Sequence, residues 1–68
     1  MSDHIYKTVE VVGSSTDGVT EAMRNAVSKA SQSLHNLDWI ELTGVRGHIE
    51  NGQIADFQAI VKIGFRLD

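Results

Sequence analysis

The sequence predicts an α+β fold, a β-α-β-β two-layer sandwich with one helix on an antiparallel sheet. Three observations carry that prediction. Residues 54–67 alternate apolar and polar side chains with unusual regularity. Residues 4–12 are rich in β-branched types, with Ile5, Val9 and Val11 at alternate positions. Between these segments, apolar residues recur at three- and four-residue steps from Val19 to Leu37, which is the period of one helix face.

The first strand, over 4–12, is expected to end at Gly13. Ser14, Ser15 and Thr16 then offer N-cap oxygens, and Ser14 with Asp17 loosely fits the capping-box spacing. The helix is expected to run to about residue 36. Its apolar stripe is Val19, Ala22, Met23, Ala26, Val27, Ala30, Leu34 and Leu37, and its other side carries Glu21, Arg24, Asn25, Ser28, Lys29 and Gln32. Asn36 is a suitable stop, because Asn tolerates the left-handed conformation.

The remainder reads as a hairpin turned by Asn51-Gly52, two residues that accept positive φ. In the last strand Ala55, Phe57, Ala59, Val61, Ile63, Phe65 and Leu67 face the helix. Asp56, Gln58, Ile60, Lys62, Gly64 and Arg66 face away. The partner strand, about 39–50, changes parity between Leu42 and Val45. One extra residue near Thr43-Gly44, a β-bulge, repairs the pattern. Ile40, Leu42, Val45 and Ile49 then point to the core, and Trp39, Glu41, Arg46 and His48 point out. As the longest and most regular strand, the last one is expected at the centre of the sheet. Nothing in the chain covers the sheet face opposite the helix.

Composition narrows the classes. The chain, residues 1–68, is one domain, with no Cys, no Pro and a formal charge of −3. Disulfides and thiolate-bound zinc are therefore excluded, and His4, His35 and His48 are too widely spaced for a ligand pair. Nine acidic residues against six basic ones disfavour binding to nucleic acid. No apolar run approaches a membrane span, and the N-terminus lacks the features of a signal peptide. A small soluble cytoplasmic domain is expected. Chains of this size bury too little surface to be comfortable alone. Self-association is the remaining source of stability.

The uncovered face carries the chemistry. It displays Trp39, Gln58, Ile60, Arg46 and Lys62 around the side-chain-free Gly64. Trp39 can be read as an oligomer contact, as core, or as a platform on which a planar ligand stacks. Gln58 offers a donor and an acceptor to a ring edge, or is an ordinary solvated position. Arg46 suits a phosphate or carboxylate, or a cross-strand ion pair of little worth. No catalytic constellation assembles. There is no Cys nucleophile, no G-x-S-x-G and no H-E-x-x-H, and Gly13 to Gly18 lacks the Lys and Ser/Thr of a phosphate-binding loop. A non-enzyme is expected.

The segments HIYKTVEVVGSSTDGVTEA, LDWIELTGVRGHI and ADFQAIVKIGFRLD together resemble the dodecins, small flavoproteins of bacteria and archaea. The resemblance covers essentially the whole chain. It implies a sheet partly wrapped around the helix and a hollow homododecameric shell. Stacked flavin pairs are implied between tryptophans at two-fold interfaces. On this resemblance Trp39 stacks on the flavin, Gln58 meets its edge, and Asp38, Arg46 and Arg66 line its ring and ribityl-phosphate side. Coenzyme A is implied as a second ligand of some members, and Lys7 and Lys29 are the residues offered for it. The implied role is storage and sequestration of FMN or a related flavin, with quenching of its excited state. The alternatives are an oligomeric shell in which Trp39 and Ile60 serve only subunit contact, and an enzyme with flavin as redox cofactor.

Overall fold

The computed structural model describes residues 3–67; residues 1, 2 and 68 lie outside it. Four elements follow in order: β1 (Ile5–Ser15), α1 (Val19–Ala30), β2 (Leu37–Glu50) and β3 (Gln53–Leu67). The sheet is antiparallel in the order β1-β3-β2, so the last strand is central as its patterning requires. Asn51 and Gly52 both take positive φ, 53° and 75°, and turn the hairpin between β2 and β3. The register of β2 against β3 shifts between Leu42 and Gly44, where the parity change demanded a bulge. There the Thr43 hydroxyl donates to the Ile60 carbonyl at 3.0 Å.

Two boundaries differ from the sequence expectation. Gly13 does not end β1, which runs on to Ser15. Its lack of a side chain serves packing instead. A Cβ there would lie 2.0 Å from the Ala22 carbonyl oxygen and 2.8 Å from the Ala26 Cβ. Gly13 thus lets the helix backbone rest directly on the strand. The serines do not cap the helix either. Gly18 is the N-cap, with φ 148° and no side-chain cap bond. Ser15 Oγ instead accepts the Asp17 N–H at 2.9 Å and closes the turn before the helix.

The helix also stops short of residue 36. After Ala30 the bonds loosen to a three-residue step, Gln32 N–H to Lys29 O and Ser33 N–H to Ala30 O, before Leu34 N–H closes on Ala30 O. Leu34 and Leu37 still pack on the core, from the loop and from the start of β2. Asn36 does adopt the left-handed conformation, φ 62°, but in the connection to β2.

The core is small: Ala22, Ala26 and Ala30 of α1 against Ala59, Val61 and Ile63 of β3, flanked by Val9 and Val11 of β1. Helical alanines every four residues allow close approach of helix to sheet. The helix covers β1 and β3 and leaves most of β2 exposed. Ile40, Leu42 and Val45 lie on the helix side of the sheet, opposite Ile63, Val61 and Ala59. They are nevertheless 39%, 42% and 50% exposed. Ile49 departs further, because the last of three register shifts in β2 sets it beside Ile54 at the exposed hairpin end. The parity of β2 was legible; its burial was not.

Candidate functional site

Cross-strand partners share a sheet face, so the register lays out the helix-free face in rows. From one end these are Tyr6 with Arg66, then Thr8, Gly64 and Trp39, then Glu10, Lys62 and Glu41. Val12, Ile60 and Gly44 come next, followed by Ser14, Gln58 and Arg46, and last Asp56 with His48. Ile60 leans over Gly44, with its Cδ1 3.1 Å from where a Cβ would stand, and is half-buried rather than displayed.

At the first end Trp39 projects from edge strand β2 across the central strand. Its indole covers Gly64 so closely that a Cβ there would lie 2.1 Å from Cε2. The indole is thus set down on the backbone of β3, and Gly64 is the place it rests on. It remains 40% exposed, which leaves a ring face available. Tyr6 of β1 meets it from the far side, with ring centroids 6.5 Å apart at 58°. The Asp38 carboxylate bears on the ionisation of the Tyr6 phenol. Desolvation pushes the Tyr6 phenol up, the Asp38 hydrogen bond and charge add to this, and Arg66 opposes it. Asn36, Leu37, Asp38 and Arg66 line a polar recess of about 240 Å³ beside this cluster.

At the other end the Arg46 Nε–H donates to Gln58 Oε1 at 2.6 Å. The short distance is that of a charge-assisted bond. It fixes the amide: Oε1 is engaged by Arg46, so Gln58 offers its NH₂ group outward, along with the remaining guanidinium donors. With one lone pair of Oε1 engaged by Arg46, Gln58 keeps its NH₂ donors and its second lone pair. Nearby, Asp56 Oδ1 is buried with no hydrogen-bond partner.

The residues singled out from the sequence thus fall into two groups. Asp38, Trp39 and Arg66 stand together, as do Arg46 and Gln58. Gly64 and Gln58 are six residues apart on one strand, so the groups are separated by about 20 Å. Lys7 belongs to neither. It pairs with Phe65 on the helix side of the sheet, and Lys29 sits in the last turn of α1. Among the described residues, no group of three or more His, Cys, Asp or Glu could hold a metal ion. No helix there is long and apolar enough to cross a membrane.

A long apolar groove lies on the other layer. Thr20, Met23, Arg24, Val27 and Ser28 of α1 with Ile40 of β2 line about 430 Å³ of it. Its walls come mainly from α1, and Ile40 is the β2 residue that closes it.

The Dodecin family model matches residues 5–68. The chain belongs to the dodecin family. The dodecin of Thermus thermophilus is 38% identical over 64 residues, covering 94% of this chain and 93% of that one. Among solved structures, the dodecin from Streptomyces coelicolor superposes with a TM-score of 0.94 at 59% identity, over 100% of this chain and 97% of that one. The dodecin from Streptomyces davaonensis gives 0.94 at 52% identity, over 98% of both chains. The dodecin fold of one helix on a β1-β3-β2 sheet is thereby established, and membership implies self-association.

Tyr6 escaped the sequence reading. Only Ile5, Val9 and Val11 of the first strand were used to set its phase, yet the same alternation puts Tyr6 on the opposite face. Carried through, it would have placed Tyr6 with Trp39 and Lys7 away from them.

Proposed function

We propose that the protein binds a flavin, FMN or a close relative, between copies of itself and stores it without turning substrate over. The observation that carries this is the Trp39 indole, laid flat on Gly64 with one face available, on a sheet face that the chain leaves uncovered. Dodecin membership supports a small flavin-binding protein. When bound, the flavin would supply a planar, light-absorbing ring whose excited state an adjacent indole quenches.

The residues present fit such a ring. Trp39 offers the stacking surface. The Gln58 NH₂ suits the carbonyl-bearing edge of an isoalloxazine, held outward because Arg46 occupies its oxygen. Arg66 and the remaining donors of Arg46 suit a phosphate. Because Trp39 and Gln58 lie about 20 Å apart in one chain, both reach one ring only if different copies supply them. Two chains placed face to face with opposite strand directions do this, bringing the tryptophan end of one against the glutamine end of the other. A dodecameric shell contains such two-fold contacts, and a cytoplasmic flavin store is the role it serves. Coenzyme A is proposed as a second ligand at Lys7 and Lys29. Those residues are off the Trp39 face, so it should leave bound FMN in place.

The test is a titration of FMN with the apo-protein, followed by flavin fluorescence. Stoichiometric quenching is expected. Trp39→Ala should remove most of it, and Gln58→Ala should weaken binding by about 1–3 kcal/mol if its hydrogen bonds are buried. Undiminished quenching in the Trp39 variant would refute the stacking role. An assembled wild-type protein indifferent to FMN would leave Trp39 as a subunit contact alone.

A further inference from the structure

We propose that Tyr6 is a positioning residue for the ligand platform: from the opposite edge strand it braces the Trp39 indole flat across Gly64. A tryptophan on an edge strand is anchored at one end only, and two free torsions let its ring swing into solvent. Here the ring is trapped between the backbone of β3 below and the Tyr6 ring beyond it. The centroid separation of 6.5 Å lies within the range of favourable aromatic pairs. Tyr6 is itself held on its other side, where its ring packs against His4 at 6.4 Å, edge to face. One side chain of β1 therefore restrains the indole of β2 across the intervening strand. Two edge strands that share no backbone bonds are coupled at the spot where a planar ligand would land.

The charged groups around the phenol are Asp38 from β2 and Arg66 from β3, with His4 ahead of β1 and Glu10, Lys62 and Glu41 two rows away. The nearest, Asp38, opposes ionisation together with desolvation. The phenol thus keeps its proton above the ordinary value of about 10, and the brace should hold throughout the neutral range. Once it ionises, phenolate and carboxylate repel each other and the brace should open.

The chain has one Trp and one Tyr, so each can be read without interference. This proposal rests on the flavin reading only for its purpose, and the first measurements use the protein without flavin. Trp39 emission anisotropy and acrylamide quenching are recorded for wild type, Tyr6→Phe and Tyr6→Leu, with far-UV circular dichroism as the check on folding. Tyr6→Leu should lower the anisotropy and raise the quenching constant about twofold. Tyr6→Phe keeps the ring and should stay near wild type at neutral pH. Raising the pH past the phenol's titration should alter Trp39 emission in wild type and not in Tyr6→Phe. FMN titration should then find binding about three- to tenfold weaker in Tyr6→Leu, the loss expected when an immobilised side chain is freed. Unchanged anisotropy and quenching in Tyr6→Leu would overturn the brace, and an alkaline transition retained in Tyr6→Phe would overturn the part given to the hydroxyl. A wild-type protein that ignores FMN would sink the flavin reading alone, with the brace still decided by the flavin-free measurements.

Discussion

Gly64 sets what the Trp39 side chain can do. Any side chain at that position would occupy the space of the indole, since a Cβ would stand 2.1 Å from Cε2. Its backbone carries no positive φ, so the requirement is one of space and not of conformation. Gly64→Ala should therefore lift the indole while leaving the strand paired. The expected outcome is a fall in FMN affinity of tenfold or more with a red-shifted Trp39 emission, read in one fluorescence titration. Unaltered emission and affinity would mean that the indole does not rest there. Much of this site was legible from alternation alone. Parity placed Trp39, Gln58, Arg46 and Gly64 on one face, because a strand's period of two leaves little freedom. What parity cannot give is distance along the face, so the separation of Trp39 from Gln58 had to come from the register. The Arg46–Gln58 bond was out of reach for the same reason. It depends on a bulge that places these two residues directly opposite each other.

Among the elements, the helix carries the clearest structural demand. It lies on Gly13 with its backbone almost in contact, and its buried face is alanine throughout. Gly13→Ala would push a methyl group into the Ala22 carbonyl, a backbone atom that cannot swing aside. Overpacking of this kind costs about 1–3 kcal/mol. Thermal or urea unfolding should detect that loss, and a variant as stable as wild type would show that the layers separate freely. The helix was recognisable from its apolar period, but its ends were not. The stripe runs on through Leu34 and Leu37 because both residues reach the core, although the chain has already left helical geometry. Likewise, Ser14 and Ser15 carry the right atoms for a cap but are still paired in β1, leaving Gly18 to start the helix.

The whole molecule is not shaped to stand alone. Its extents are 54 × 20 × 14 Å, since a 15-residue strand spans about 50 Å and sets the long axis. A 12-residue helix covers only about 18 Å of that length. The radius of gyration is 14.1 Å, where a compact chain of this length has about 11 Å. Accessible surface reaches 4919 Å², against about 4250 Å² for a compact monomer of 7.5 kDa. Small size alone implied partners. The structure leaves two apolar surfaces open to them: the indole face and the groove between α1 and β2. Ile40 lines that groove while its backbone pairs with β3, so Ile40→Glu should break the assembly and leave the hairpin. Light scattering across a size-exclusion column should report a smaller particle, and an unchanged mass would remove the groove from the interface. The central claim, a flavin held between copies, is tested most directly by the absorption spectrum of that same eluate after wild-type protein has been mixed with FMN. The account predicts flavin absorbance, with quenched emission, under a multimer peak. Flavin eluting apart from the protein, or bound to a monomer, would contradict it.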